Sequence, residues 1–167
     1  TAAADLNKDG HINSTDVAII RDYLAGYLEL DQVTGTVSRV LMLDTQPETD
    51  LTVTIDRENG IVYGFDTKIT KDEVSEFVTV TNKVKGEIEV VCAKDIFSPF
   101  VGTGSTINVV DSKTGEVVES FTVIIFGDLN GDSAINSTDV SIIGDELKGV
   151  TSWSDSSSDT YSFAKTF

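Results

Sequence analysis

Residues 5–26 read DLNKDGHINSTDVAIIRDYLAG, and residues 128–149 read DLNGDSAINSTDVSIIGDELKG. The two stretches align without a gap at an offset of 123, and 15 of their 22 positions are identical. Self-similarity of this kind is the signature of a structural unit that occurs more than once in a fold. We therefore expect two copies of one unit, one on each side of residues 27–127.

The second half of each copy has the apolar spacing of an α-helix. Both copies place apolar residues at i, i+3 and i+7: Val17, Ile20 and Leu24 in the first, and Val140, Ile143 and Leu147 in the second. Gly26 and Gly149 then stand where a glycine ends a helix. A helix of about ten residues is only marginally stable alone. Its apolar face therefore needs a partner, and the helix of the other copy is the obvious one.

The first half of each copy has the composition of a calcium-binding loop. Ca²⁺ takes about six to eight oxygen ligands, and a twelve-residue loop supplies them from positions 1, 3, 5, 7 (by its main-chain carbonyl), 9 and 12. In the first copy these positions are Asp5, Asn7, Asp9, His11, Asn13 and Asp16. In the second copy they are Asp128, Asn130, Asp132, Ala134, Asn136 and Asp139. We therefore predict two calcium ions, one in each loop.

Position 6 of such a loop turns sharply, and here the two copies differ. The first copy has Gly10 at this position and the second has Ser133. A serine with φ > 0 carries strain of about 1 kcal/mol. We therefore predict that the second site is the weaker or the less regular of the two.

Two other interpretations of the loops are less favoured. Asp, Asn and Ser are common in turns and at helix caps, so the loops also fit metal-free turns. Three carboxylates within twelve residues repel one another without a cation, however, and both copies have this arrangement. Magnesium fits less well than calcium because it keeps its waters and takes fewer protein ligands. No helix is expected before either loop, which argues against a calcium sensor that opens on binding.

The residues between the copies predict a small, mainly antiparallel β domain. We expect strands at residues 37–43, 51–55, 87–92, 105–110 and 117–126, separated by turn signals, and one helix at residues 70–77. The fold class is thus α+β, with two loop–helix repeats of the F-hand kind and one β domain. We divide the chain into a first repeat (1–30), a β-rich module (31–127), a second repeat (128–150) and a Ser- and Asp-rich linker or tail (151–167).

Composition excludes several kinds of partner. The 28 acidic and 12 basic residues give a net charge of −16. A chain this acidic repels phosphate backbones and anionic membranes, so we expect no nucleic-acid partner and no membrane insertion. The single cysteine, Cys92, has no partner for a disulfide. The single histidine, His11, falls inside the first loop, so no nucleophile–base pair is evident and we expect no enzyme.

The pattern Asp-x-Asn-x-Asp-Gly-x-Ile-Asn-Ser-Thr-Asp, followed by a short amphipathic helix, closely resembles a type I dockerin repeat. Both copies carry it, with Ser133 in place of the glycine in the second. Dockerins are the calcium-dependent modules that plug enzymes into cohesins on cellulosome-type scaffolds. The resemblance implies a secreted bacterial protein, extracellular or at the cell surface, that serves polysaccharide degradation. Residues 31–127 resemble the small β module often found next to dockerins, although dockerin repeats normally follow one another closely.

The resemblance also implies a partner and its contacts. A cohesin-type domain would contact Ser14, Thr15, Arg21, Ser137 and Thr138. The two repeats would pair within one chain, across the β module, or by exchange between chains. Many dockerins carry a basic pair on the helix where this chain has Arg21-Asp22 and Gly144-Asp145. The alternative function is therefore a calcium-stabilised structural spacer of a secreted protein, with no docking partner.

Overall fold

The computed structural model of the chain describes residues 3–47, 53–83, 85–93 and 99–150. Within these ranges the chain forms two α-helices, one 3₁₀ helix and nine β-strands. In chain order they are α1 (Ser14–Ala25), β1 (Leu28–Leu30), β2 (Val37–Arg39), β3 (Leu43–Thr45), β4 (Thr54–Asp56), β5 (Ile61–Tyr63), the 3₁₀ helix (Glu73–Glu76), β6 (Val78–Val80), β7 (Gly86–Val91), β8 (Thr106–Asp111), β9 (Val117–Ile124) and α2 (Ser137–Leu147). The mixed content confirms the predicted α+β class. Within the described ranges, every helix is too short or too polar to span a membrane.

A five-stranded sheet is the centre of the β-rich part, with the strand order β4-β5-β9-β8-β7. Its pairs are antiparallel except β5 and β9, which run parallel with Val62 opposite Val123. β1 pairs with β2 and β3 pairs with β6, both antiparallel, as separate two-stranded ladders. The prediction of a mainly antiparallel domain is confirmed, with one parallel pair that the sequence pattern did not indicate.

Three of the hairpins are closed by the same five-residue turn, Asp-x-x-(Thr or Asn)-Gly, at residues 31–35, 56–60 and 111–115. In the last of these, Asp111 accepts hydrogen bonds from the amides of Lys113 at 2.8 Å and Thr114 at 2.7 Å. Gly115 then adopts φ 73°, which a residue with a side chain tolerates poorly. These amides, opposed by burial, hold the pKa of the Asp111 carboxyl below its ordinary value. The turn is therefore an Asx-turn that fixes the register of the strands on either side.

One cluster of buried apolar side chains holds the β-rich part together. Strand β8 alternates buried and half-buried residues, so Ile107 and Val109 point into the cluster. The fully buried members are Leu41, Leu43, Val62, Val74, Val78, Val101, Ile107, Val109 and Val123. Seven of them come from the central sheet, the β3–β6 pair and the 3₁₀ helix, and Leu41 and Val101 come from connecting segments. The cluster thus binds these three parts into one body by apolar burial.

A nearly buried carboxylate attaches the first hairpin and β3 to the central sheet. Glu119 on β9 lies 3.2 Å from the Arg39 guanidinium on β2 and accepts a hydrogen bond of 2.9 Å from the Leu43 amide. The β1–β2 hairpin therefore spans the predicted domain boundary at residue 30. Its last residue, Arg39, attaches it to the central sheet. The division into domains remains a prediction.

The predicted elements of the middle region agree with the structure in part. The long strands 87–92, 105–110 and 117–126 correspond to β7, β8 and β9. Predicted strand 37–43 is interrupted at residues 40–42, between β2 and β3, and predicted strand 51–55 overlaps β4. Predicted helix 70–77 is only a 3₁₀ turn, although Thr70 and Glu73 make the predicted capping contact through the Thr70 amide at 2.8 Å. Residues 151–167 lie outside the described ranges.

Candidate metal centres

The last carboxylate of each loop holds the two ends of the loop together. In the first loop, Asp16 accepts a hydrogen bond from the Leu6 amide at 2.8 Å and another from the Asn13 amide at 2.9 Å. In the second loop, Asp139 makes the same two contacts with the amides of Leu129 at 2.8 Å and Asn136 at 2.9 Å. Both carboxylates are almost completely buried, at 2% exposure. The hydrogen bond from Asn13, opposed by burial, lowers the pKa of Asp16, so this carboxylate stays ionised near neutral pH.

These contacts also explain where each helix begins. Asn13 caps α1 because its side chain accepts a hydrogen bond from the Thr15 amide. Asp16 accepts one from the Asn13 amide in return, which completes a capping box. Asn136, Thr138 and Asp139 repeat the arrangement at α2. The helices end alike too, because Gly26 and Gly149 both adopt the left-handed conformation just after them. Both copies therefore consist of a capped loop followed by a helix, and their identity as calcium-binding repeats stays a prediction.

The middle of each loop turns around the polar side chains at positions 3 and 5. Asn7 accepts a hydrogen bond from the Asp9 amide at 3.2 Å, and Asp9 accepts one from the His11 amide at 2.8 Å. In the second loop, Asn130 and Asp132 accept the equivalent bonds from the amides of Asp132 and Ala134, at 2.9 and 3.0 Å. The two loops therefore have one backbone path, set by the same side chains.

The first carboxylate of the first loop contains an unsatisfied oxygen. Asp5 uses Oδ2 to accept a hydrogen bond of 3.1 Å from the Gly10 amide. Its Oδ1 atom is buried and has no hydrogen-bond partner. A buried charged oxygen without a partner is costly, so such an atom normally faces a donor or a cation. The orphaned oxygen fits a hard cation, and calcium prefers carboxylate and carbonyl oxygens.

The first carboxylate of the second loop lies deeper. Asp128 is only 1% exposed. Burial raises its pKa above the ordinary value, against hydrogen bonds from the amides of Thr103, Ser133 and Gly131, and the nearby charge of Asp132 raises it further. A cation between the two carboxylates would offset both the burial and the repulsion.

Among the described residues, no three His, Cys, Asp or Glu side chains form a group that could hold a metal ion. The predicted ligand set also includes Asn side chains and main-chain carbonyls, and such mixed oxygen sets are typical of calcium loops. The His11 residue is exposed. Its main-chain carbonyl is the predicted ligand of the metal ion. The predicted ligands of both loops and the count of two ions remain predictions.

The predicted strain at position 6 of the second loop can be compared with the backbone of the first loop. Ser133 adopts φ 66°, so the expected strain of a non-glycine residue is confirmed. The first loop contains an equivalent strain at position 4, where Lys8 has φ 60° and the second loop has Gly131. Each loop thus has one non-glycine residue in the left-handed region, and their hydrogen bonds match. Strain at a non-glycine residue therefore does not distinguish the two loops, and the expectation that the second site is the weaker or the less regular stays a prediction.

The predicted partner-binding residues lie on the surface. Ser14, Thr15, Ser137 and Thr138 are exposed in the first turns of α1 and α2. Arg21 is exposed on α1, 3.5 Å from the carboxylate of Asp22. All of them are accessible to a partner without any rearrangement of the fold.

The apolar faces of the two helices are exposed, and this was not expected. Leu24 is 78% exposed and Leu147 is 83% exposed, while Ile20 and Ile143 are both 44% exposed. Val17, Val140 and the loop residues Ile12 and Ile135 are also exposed. In the described part of a single chain, the helices therefore do not cover each other, contrary to pairing within one chain.

Comparisons with known proteins bear on the first copy. Residues 1–44 match the family described as the dockerin type I domain. Domains of this family in general bind calcium, dock to cohesin domains without being catalytic, and are typically found in secreted or cell-surface proteins. The match covers about a quarter of the 167 residues and does not reach the second copy. Neither a curated protein nor a solved structure matches the chain.

Proposed function

We propose that both repeats are dockerin-like, that each binds one calcium ion, and that together they dock the chain to a cohesin-type domain of a cellulosome-like or cell-surface assembly. The observation that carries the proposal is the equivalence of the two loops. The first lies within the dockerin match, and the second repeats its hydrogen bonds at the same spacing. What calcium does for the first loop it should therefore do for the second.

The loop side chains would hold the ion as an all-oxygen cage. Asp5, Asp9 and Asp16 would contribute carboxylates in the first loop, and Asn7 and Asn13 would contribute amide oxygens. Asp128, Asp132 and Asp139 would do the same in the second loop, with Asn130 and Asn136. The His11 and Ala134 carbonyls complete the two sets. Calcium bound here would neutralise three carboxylates and fix the start of the helix that follows.

The docking surface would be the exposed start of each helix. The Ser14-Thr15 and Ser137-Thr138 pairs have the same position relative to their capping boxes. They present two similar but unequal surfaces, because Arg21 on α1 is replaced by Gly144 on α2. A cohesin that contacts the basic residue Arg21 would therefore prefer the first repeat.

The exposed apolar faces of α1 and α2 would be buried against a partner in the assembled state. Because α1 and α2 do not cover each other in the described part of one chain, we favour exchange, in which α1 of one chain packs on α2 of a second. The two faces carry the same residue types at the same spacing. Exchange would bury both and would make assembly depend on chain concentration.

The decisive experiment is a pull-down with a panel of cohesin domains, in calcium and in chelator. We expect retention by at least one cohesin in calcium and none in chelator. Asp9→Ala and Asp132→Ala should each lower retention, and Glu58→Ala, in a turn of the β module, should not. Absence of calcium-dependent retention across the panel would contradict docking.

The alternative is a calcium-stabilised spacer. It is favoured by Asp22 and Asp145, which stand where many dockerins have a basic residue. If chelator removes helical signal and raises susceptibility to protease, yet no cohesin is retained in calcium, the spacer function is the better one.

A further inference from the structure

The second loop, unlike the first, is attached to the β-rich part by main-chain hydrogen bonds. The Thr103 amide donates to Oδ2 of Asp128 at 2.9 Å. The Lys68 amide donates to Ser133, to its carbonyl at 3.1 Å and to its hydroxyl at 2.9 Å. The contacts hold positions 1 and 6 of the loop from outside.

Gly102 shows how close this contact is. A Cβ atom at Gly102 would lie 2.4 Å from the carbonyl oxygen of Gly131 and 2.8 Å from the amide nitrogen of Ser133. Distances below 3.0 Å do not occur for real Cβ atoms, and both neighbours are main chain of the loop, which cannot swing away. The φ of Gly102 is outside the left-handed region, so an alanine would be acceptable but for this contact.

The turn that makes the contact is itself firmly fixed. The Thr103 hydroxyl bridges the main chain of Ile125, donating to its carbonyl at 3.1 Å and accepting from its amide at 3.1 Å. The Gly102 amide donates to the buried Ser105 hydroxyl at 3.1 Å. Thr103, Ser105 and Ile125 are all buried. The turn is thus firmly attached to the main chain just after β9.

Among the described residues, the first loop receives no such hydrogen bond from the β-rich part. Asp5 receives its hydrogen bond from Gly10 of its own loop. The first loop reaches the rest of the chain through a flexible side chain, Lys8, whose ammonium donates to the Thr34 carbonyl at 3.2 Å. Asp128 is buried where Asp5 is half-buried.

We propose that the turn at Gly102 and Thr103 is the outer wall of the second calcium site, so that the β-rich part pre-forms this site and not the first. The proposal rests on the proposed binding of calcium by the second loop. Groups that orient a metal ligand through a hydrogen bond restrict it to the binding geometry. By reciprocity, calcium at the second loop stabilises the β-rich part, whereas calcium at the first loop stabilises chiefly α1.

The test is calcium titration by calorimetry on the full chain, in two backgrounds that each leave one site. Asp9→Ala leaves the second site, and Asp132→Ala leaves the first. Gly102→Ala should weaken the second site by about 10- to 100-fold, the usual effect of losing an outer-shell contact. It should leave the first site unchanged within about twofold.

Two further variants keep the result interpretable. Gly86→Ala places a methyl group 2.5 Å from the Leu41 side chain in the β core, away from the loop. It should lower the melting temperature without changing either calcium affinity. Thr103→Val keeps the amide but removes both hydroxyl contacts to Ile125, and should weaken only the second site even if Gly102→Ala does not fold.

Each outcome has a separate meaning. Selective weakening of the second site by Gly102→Ala or Thr103→Val, but not by Gly86→Ala, supports the wall. If both variants leave the second site unchanged, or weaken the two sites equally, the wall is refuted while calcium binding stands. If the Asp9→Ala protein binds no calcium, the proposed function of the second loop fails, and the wall fails with it.

Discussion

The Asp16 carboxylate accepts a hydrogen bond from the Leu6 amide at 2.8 Å, across ten residues of chain. With its other oxygen it accepts the Asn13 amide, so one side chain closes the loop and starts the helix. Asp139 and Leu129 repeat this relationship at the same distance. Loop geometry and helix formation are therefore coupled in both copies, and calcium binding should be visible as helix stability.

The helix caps can be tested without metal. Asn13→Ala removes the side chain that accepts the Thr15 amide, and loss of such a cap costs about 1 kcal/mol. In chelator we expect less helical circular dichroism and easier proteolysis within α1. Asn136→Ala should act in the same way on α2. Ser14→Ala, at the first residue of the helix, is the control and should have little effect. If Ser14→Ala lowered helicity as much as Asn13→Ala, capping by Asn13 would be contradicted.

The β core should be independent of the first loop. Ile107 is fully buried in the apolar cluster, and truncation of such a residue costs about 2–5 kcal/mol. Ile107→Ala should lower the free energy of unfolding, measured by denaturant titration of the β signal, by that amount. Val117→Ala, at a half-exposed position of β9, is the control and should change it little. The calcium affinity of the first loop should be the same in both variants, and a change there would show that the two parts are coupled.

Acid should weaken the hairpin turns before the core. The amides of Thr114 and Lys113 hold the pKa of Asp111 below its ordinary value of 3.8. A depressed folded-state pKa contributes stability above the unfolded pKa, and this stability is lost as the pH falls through the folded pKa. In chelator, which removes calcium from the loops, the free energy of unfolding should therefore fall below about pH 4. Asp111→Asn should flatten this acid dependence, and an unchanged pH profile would contradict the role of Asp111.

Exchange between chains gives a sizing prediction. In calcium we expect a dimer or larger species by light scattering, because two equivalent apolar faces are exposed in each chain. Leu24→Glu and Leu147→Glu should each shift the chain toward monomer. Val33→Glu, at a 94% exposed turn position, is the matched control. A chain that stays monomeric in calcium at high concentration would rule out exchange.

The sequence predicted the repeats well because their structure is local. Loop positions, caps and helix ends are all set by residues within about ten positions of each other, so the roles of Asp16 and Gly26 follow from the local sequence pattern. The long strands β7, β8 and β9 were also found, since they have enough alternating residues to show a period of two.

Three of the short strands and the tertiary contacts were not predicted, for physical reasons. β1, β5 and β6 have three residues each, too few to show a period, and they exist because a neighbouring strand satisfies their main chain. The contact of Thr103 with Asp128 spans 25 residues and involves a main-chain amide, which no side-chain pattern reveals. Lys8 has a left-handed φ that is unusual for lysine, so its strain is not evident from residue type.

The number of calcium ions bound per chain tests the account most directly. A calorimetric titration of the full chain, in buffer first freed of metal by chelation and dialysis, measures it. We predict two ions for the wild-type chain and one each for Asp9→Ala and Asp132→Ala. A wild-type chain that binds a single ion, or none, would contradict the claim that both loops are calcium sites.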